Sequence, residues 1–337
     1  MLEPTMALQL NVAWWNANDL YHFDADKIKA RNSRWPRSRR IYEEKCRRVD
    51  LALRSFFDKF STPQLLGLGE TTQQAAIDLR DRLLPDYRIL SLDVQTSKPT
   101  LQVAILYSPD AKGSLEFRES PPIAVPGTPR GTRPMAVLDA LTPTSELRCI
   151  ACHWQARLDE ASEITRFRIA DYLAQYTHDY LTQKSSKARG VLVMGDLNEE
   201  PYGRNLEILN AHRHRERSLG LAHWADNDVK RTHLYNPSWR LMGEKYAHPE
   251  PTLRPRELVG SAGTYYWEAK RSWAHLDHFI VSGSLLGNQA PYFDENESAI
   301  VSLVEFLTNG LPIKFSEDSG KFRGVSDHLP IYGRIFL

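Results

Sequence analysis

Residues 190–202 read Gly-Val-Leu-Val-Met-Gly-Asp-Leu-Asn-Glu-Glu-Pro-Tyr, and their pattern decides the fold. Val191 to Met194 form a short apolar run bounded by Gly190 and Gly195, the signature of a buried strand that ends in a sharp turn. Asp196 and Asn198 follow at once. In extended backbone alternate side chains share a face, so carboxylate and amide project together while Leu197 turns back to the core. A carboxylate can hold a hard cation or take a proton, and an amide can donate to or accept from a bound phosphate. A polar Asx turn stopped by Pro201 accounts for the same residues without any chemistry.

Other stretches repeat the theme of an apolar run that ends in, or is broken by, Asn, Glu, His or Asp. Trp14-Trp15-Asn16-Ala17-Asn18 lies near the start, and Gly67-Leu68-Gly69-Glu70 and Ile150-Ala151-Cys152-His153-Trp154 follow. Trp273 to Ser282 places Asp277 inside a strand-like run, and Val325 to Ile331 sets Asp327-His328 against a closing apolar strand. This ordered set resembles the endonuclease/exonuclease/phosphatase superfamily of metal-dependent phosphoesterases. The likeness runs from Asn16 to His328 and rests on GDLN and SDHLP in order, with Glu70 and His153 upstream. The His153-Trp154-x-x-Arg157 variant is most similar to the nuclease-like bacterial branch.

The resemblance implies an α/β fold, a four-layer α/β/β/α sandwich of two facing mixed sheets flanked by helices. It implies Mg²⁺, with Mn²⁺ as the alternate, held by Glu70 with Asn16 and Asp327 completing the shell. Asp196 would orient or deprotonate the attacking water, and Asn198 would contact the phosphate. His328 would meet the scissile phosphate, with Asp277 fixing its tautomer and raising its basicity. His153 matches the second histidine of the nuclease branch, which stabilises the transition state or protonates the leaving group. Arg157 either holds a substrate phosphate or pairs with a neighbouring carboxylate. Asn18 departs from the pattern where several relatives carry Asp, and His278 departs where an aromatic or arginine is common. No tyrosine aligns with the phosphate-contacting tyrosine of the apurinic-site branch.

Composition sets the outer bounds. The 337 residues are 42% apolar and 25% charged, ordinary for a globular chain with a sizeable core. Net charge is +1, so a nucleic-acid surface must be a local patch rather than a global field. That patch is expected in the basic stretch Lys27 to Arg48, whose first half carries Lys27, Lys29, Arg31, Arg34, Arg37, Arg39 and Arg40 around Trp35. Arg37, Arg39 and Arg40 are the substrate-binding candidates there, with nucleic acid the expected partner, while Arg47 and Arg48 read as a solvated helix face. No apolar run reaches the roughly 20 residues of a membrane span, so no membrane insertion is expected. The first residues lack the pattern of a signal peptide. Cys46, Cys149 and Cys152 fit no metal or disulfide spacing, which suggests buried free thiols and a cytoplasmic setting.

Strand-like and helix-like stretches alternate along the chain, and the chemistry appears at both ends, so 1–337 is expected to form a single domain. A first strand is expected over Leu8–Trp15, leading to Asn16 and Asn18, and a short one over Ser114–Arg118; helices are expected from Ile41, over Gln73–Leu84, over Ser162–Thr182, over Arg204–Asn210 and over Ala299–Leu307. Residues 211–272 read as an irregular, aromatic-rich region of the kind that carries function. Two activities fit: hydrolysis of nucleic-acid phosphodiesters, DNA before RNA, or hydrolysis of a small phosphorylated molecule such as an inositol phosphate or lipid headgroup. A catalytically silent binding protein on the same fold is the third reading.

Overall fold

In the computed structural model the described residues are 7–23, 38–91, 102–109, 114–129, 132–215, 232–242 and 261–337. The chain begins with β1 (Gln9–Leu20), α1 (Arg39–Phe60), β2 (Leu65–Thr71), α2 (Gln73–Leu83), β3 (Arg88–Ser91) and β4 (Gln102–Tyr107). It continues with β5 (Glu116–Ile123), β6 (Met135–Leu141), β7 (Ser145–His153), α3 (Glu160–Thr182), β8 (Ala188–Asp196) and α4 (Arg204–Ile208). Short strands β9 (Ala211–His212), β10 (Leu234–Tyr235), β11 (Tyr265–Trp267) and β12 (Ser272–Ala274) precede β13 (Asp277–Ser282) and β14 (Tyr292–Ile300). A hairpin of β15 (Ser316–Asp318) and β16 (Lys321–Arg323) and the closing β17 (Ile331–Phe336) complete it.

These strands form two mixed sheets, ordered β14-β17-β1-β2-β4-β3 and β5-β6-β7-β8-β13-β10-β9. Period-two alternation explains how β8 serves two layers. Leu192 and Met194 join the core shared with the facing sheet, while Val191 and Val193 join a second core with Ile169, Leu173 and Ala174 of α3. On the other flank, α1 buries Tyr42, Cys46, Val49, Leu53 and Phe56, an apolar stripe at helical spacing. Ser38 caps this helix by accepting from the Ile41 amide at 3.3 Å. The result is the four-layer α/β/β/α sandwich. The three cysteines are buried and free.

Register delivers the chemistry to one end of the sandwich. His153, Asp196 and Asp277 stand abreast on β7, β8 and β13. Across the sandwich, the β1–β2 pairing shifts between Asn16 and Leu20, and the β2–β4 pairing shifts between Leu68 and Thr71. Such bulges re-aim side chains, here those of Asn16 and Glu70.

Three expectations need amendment. Ala299–Leu307 is not a helix: Ala299 and Ile300 end β14 against Tyr332 and Ile331, and one 3₁₀ turn follows at Val304–Phe306. A short apolar run carries no decisive period, and the free edge of β17 captured it. Second, β1 continues past Trp15 to Leu20, so Asn16 and Asn18 lie within the strand rather than after it. Third, the strand expected at Ser114–Arg118 runs over Glu116–Ile123. Of the basic stretch, Lys27, Lys29, Arg31, Arg34 and Arg37 lie outside the described residues, as do Trp224 and Tyr246 of the aromatic region.

Candidate active site

The site is built around Asp196, which is 2% exposed at the end of β8. Its Oδ1 accepts from the Asn198 amide at 2.9 Å, the Asx turn anticipated from the sequence. Its Oδ2 accepts from Asn16 Nδ2 at 3.0 Å and faces two imidazoles, with His153 Nε2 at 3.6 Å and His328 Nε2 at 3.7 Å. Burial pushes the Asp196 carboxyl up, against the pull of the neighbouring His328. Asn198, in the left-handed region at φ 51°, donates from Nδ2 to the Trp154 carbonyl at 3.1 Å.

His328 is held on three sides. Its Nδ1 lies 2.8 Å from Asp277 Oδ2, its amide donates to Ser326 Oγ at 3.0 Å, and its carbonyl accepts from Trp15 Nε1 at 3.0 Å. Burial opposes a charge on this ring, but Asp277, Asp196 and Asp327 outweigh it and hold the imidazole above its ordinary range. His153 is the opposite case. Burial, with Arg133 and His328 nearby, holds its ring neutral, well below the usual range. Two histidines facing one carboxylate therefore carry different charges.

Asp196, Asp277 and His328 each offer one ligand atom within 4.8 Å of the others. Both Asp277 oxygens are committed, however: Oδ1 accepts from Trp14 Nε1 at 2.8 Å and Oδ2 meets His328. With His328 Nδ1 also engaged, Asp277 and His328 form a hydrogen-bonded pair that faces Asp196, rather than a cation cage.

Oxygen atoms suited to a cation lie beside it. Glu70 adopts φ 52°, a left-handed conformation that costs an ordinary residue about 1–3 kcal/mol. Its Oε2 accepts from the Asp19 amide at 3.0 Å, and its Oε1 lies 3.4 Å from Asn16 Nδ2 and 3.8 Å from His153 Nε2. Asp327 is half-buried, yet its Oδ1 is enclosed and accepts no hydrogen bond. An orphaned carboxylate oxygen beside Glu70 fits a hard divalent ion, which takes oxygen ligands. Asn16 presents its amide nitrogen to Glu70 and Asp196 and its Oδ1 to the Asn18 amide at 3.0 Å, so it ties the carboxylates together.

The substrate candidates divide. Arg157 is exposed, makes no hydrogen bond or ion pair among the described residues, and lies near enough to Tyr265 and Glu200 to act on their charge. Arg39 and Arg40 open α1 already paired, with Glu43 at 2.7 Å and Glu317 at 2.8 Å. His278 belongs to the core. Its Nε2 donates to the Glu199 carbonyl at 2.8 Å and its Nδ1 faces Asn236 Nδ2 at 3.3 Å.

Sequence reasoning passed over several neighbours. Tyr265 places its ring 4.8 Å from that of His328, and its hydroxyl is pushed up to about 12 by burial and Asp327. It sits in an irregular, aromatic-rich stretch where no periodicity singles it out. Trp14 holds Asp277 from the opposite sheet, and only the folded pairing reveals that contact. Lys45 is a charged residue on the apolar stripe of α1, and that mismatch was a usable signal. Its Nζ donates to the Asn18 carbonyl.

The Endonuclease/Exonuclease/phosphatase family matches residues 11–245. No curated protein matches the chain. Among solved structures, D. rerio TDP2 complexed with a single-strand DNA product is similar at 13% identity and TM-score 0.54, over 97% of this chain and 98% of that one. The mannosyl-6-phosphatase Bt3783 of Bacteroides thetaiotaomicron is similar at 13% identity and TM-score 0.56, over 97% and 100%. A Bacteroides thetaiotaomicron protein of the endonuclease/exonuclease/phosphatase family gives 12% and 0.56, over 98% and 95%. At such identities the likeness is one of fold alone. No described helix is long and apolar enough to cross a membrane. With well over half of its length matched, the chain belongs to the Endonuclease/Exonuclease/phosphatase family.

Proposed function

We propose that this protein is a Mg²⁺-dependent hydrolase of nucleic-acid phosphodiesters, DNA before RNA, with residues 1–337 acting as one domain in the cytoplasm. The observation that carries the reading is the pair of imidazoles that converge on Asp196 at 3.6 and 3.7 Å, only one of them backed by a second carboxylate, Asp277, at 2.8 Å. Hydrolysis needs a base for water, a cationic contact for the phosphoryl oxygens, and a polar contact for the leaving oxygen. Asp196, with a carboxyl raised by burial, takes the proton as the water oxygen bonds to phosphorus. His328, kept cationic and oriented by Asp277, donates to a non-bridging oxygen. Asn198 steadies the same phosphate from the turn after β8, and Arg157 binds a flanking one. His153 faces the oxygen that departs with its electron pair as the ester bond breaks.

Glu70 and Asp327 would hold the divalent ion, with Asn16 keeping Glu70 and Asp196 in register. When bound, that ion supplies charge neutralisation on the phosphoryl oxygen. A second reading, hydrolysis of a small phosphorylated molecule, is favoured by one observation: Arg39 and Arg40 already hold carboxylates, which weakens a phosphate-tracking patch at the start of α1. One panel separates the readings. Plasmid DNA, single strands, RNA, inositol phosphates and sugar phosphates are each incubated with Mg²⁺ and with chelator. Mg²⁺-dependent cleavage of DNA or RNA is expected, and turnover confined to the small esters would overturn the nuclease reading.

A further inference from the structure

We infer that Lys45 is the resident counter-cation of the metal-side carboxylates, weakening their hold on the divalent ion and fixing the bulge that presents Glu70. The inference rests on the reading of Glu70 and Asp327 as the ion's ligands. Lys45 lies on the buried face of α1 between Tyr42, Cys46 and Val49, a position suited to leucine, and it is 2% exposed. A lysine so placed must be paired, because an isolated buried charge is costly. Its ammonium donates to the Asn18 carbonyl and lies 5.7 Å from the centre of the Phe315 ring. The charges acting on it are Asp19, Glu70 and Asp327, with Cys46 the weakest influence. Lys314 also acts on Asp19 and Asp327, and His328 acts on Asp327.

Two consequences follow from this placement. Asn18 and Asp19 both adopt left-handed backbone, at φ 46° and 54°, and the Asp19 amide holds Glu70 Oε2 at 3.0 Å. Anchoring the Asn18 carbonyl therefore positions Glu70 through a single peptide group, whose N–H is the Asp19 amide. Lys45 is also too deeply buried to touch a substrate, so its charge acts on the carboxylates alone. A fixed positive charge that acts on the carboxylates holding a divalent ion also opposes binding of that ion, by an amount worth about tenfold.

The sign of the effect separates this role from a purely structural one. Mn²⁺ is titrated into wild type and Lys45→Met, with affinity read by electron paramagnetic resonance and folding by circular dichroism. Lys45→Met should bind Mn²⁺ at least about tenfold more tightly. Unchanged or weaker affinity in a folded variant overturns the inference, because a structural lysine would only loosen the bulge. Lys45→Met combined with Asp19→Asn removes one charge of each sign and should return affinity to near the wild-type value. If the single variant is unfolded in chelator, Mn²⁺ should restore its circular dichroism, since the ion supplies the missing charge; no recovery also overturns the proposal. Absence of Mn²⁺ binding in wild type would instead remove the metal reading itself.

Discussion

Trp14 Nε1 donates a 2.8 Å hydrogen bond to Asp277 Oδ1 and so joins β1 of one sheet to β13 of the other. Room for the indole comes from β2, the neighbouring strand of the same sheet. A Cβ at Gly67 would lie 2.7 Å from Trp14 Cε3, and one at Gly69 would lie 2.9 Å from Cζ2. The glycines of Gly67-Leu68-Gly69-Glu70 thus let Trp14 reach the carboxylate that orients His328. Trp14→Phe keeps an aromatic side chain but loses the N–H and strands a fully buried carboxylate oxygen, at a cost of about 1–3 kcal/mol. Stability should fall by that amount in urea, and kcat should fall more than KM rises. If denaturation midpoint and kcat both stay at wild-type values, the indole is not what holds Asp277.

Asp196→Asn removes the acceptor for the water proton, and His328→Ala removes the cationic contact. Each should lower kcat at least about a hundredfold with the fold retained. Both side chains lie outside the two hydrophobic cores, so neither change opens them, although His328→Ala also strands Asp277 Oδ2. Near-normal turnover in either variant, at an unchanged melting temperature, would show the assignment to be wrong.

Glu70→Gln keeps the shape of the side chain and its hydrogen bond to the Asp19 amide while deleting a charge. Half-saturation in Mg²⁺ should move to higher concentration, with little change in substrate affinity. Wild type should lose activity in excess chelator. An identical Mg²⁺ titration for wild type and variant would take Glu70 out of the ligand set.

Legibility in the sequence followed periodicity and punctuation. The stretch from Val191 to Asn198 announced a buried strand and a polar turn, and the folded chain forms both, with the Asx hydrogen bond in place. What escaped depends on partners distant in sequence. Nothing local marks Trp14 as the support of a carboxylate 263 residues away, or Tyr265 as the neighbour of His328. The end of β14 resembled a helix because a brief apolar run fits either period, and only the exposed edge of β17 decides it. Lys45 was passed over although a charge on an apolar stripe is a visible mismatch, and its meaning needed the carboxylates brought to it by β1 and β2.

His278 predicts a pH dependence of stability. Burial, against weaker opposing contacts with Glu199 and Asp277, holds the ring down to about 4, and its Nδ1 faces the Asn236 amide as an acceptor. The unfolded chain protonates near pH 6.5, so below that pH the unfolded state binds more protons than the folded one. Stability from this group is therefore complete above about pH 6.5 and is lost as pH falls toward 4, by about 3 kcal/mol in all. Urea unfolding from pH 7.5 to 4.5 should show the loss in wild type, and His278→Gln should flatten it. An equal slope in the variant would place the titration elsewhere.

Arg157 provides the sharpest separation of the two substrate classes. It is exposed beside Tyr265 and makes no hydrogen bond or ion pair among the described residues, whereas Arg39 and Arg40 must first leave Glu43 and Glu317. Each phosphate contact releases condensed counterions, giving a log–log salt slope of about 0.9 per contact on duplex DNA and about 0.7 on single strands. In the inactive Asp196→Asn background, Arg157→Ala should lower that slope by close to one contact and weaken all sequences alike, since backbone contacts carry no base information. Arg39→Ala and Arg40→Ala should lower it less, because separating an existing pair offsets part of each gain. Lys27, Lys29, Arg31, Arg34 and Arg37, neutralised three at a time, test whether the rest of the basic stretch contributes. For a small phosphomonoester, Arg157→Ala should raise KM with little dependence on salt. A slope unchanged by Arg157→Ala would remove this residue from the nucleic-acid surface. Failure to bind any nucleic acid, alongside robust turnover of a sugar or inositol phosphate, would transfer the site to the small-molecule class.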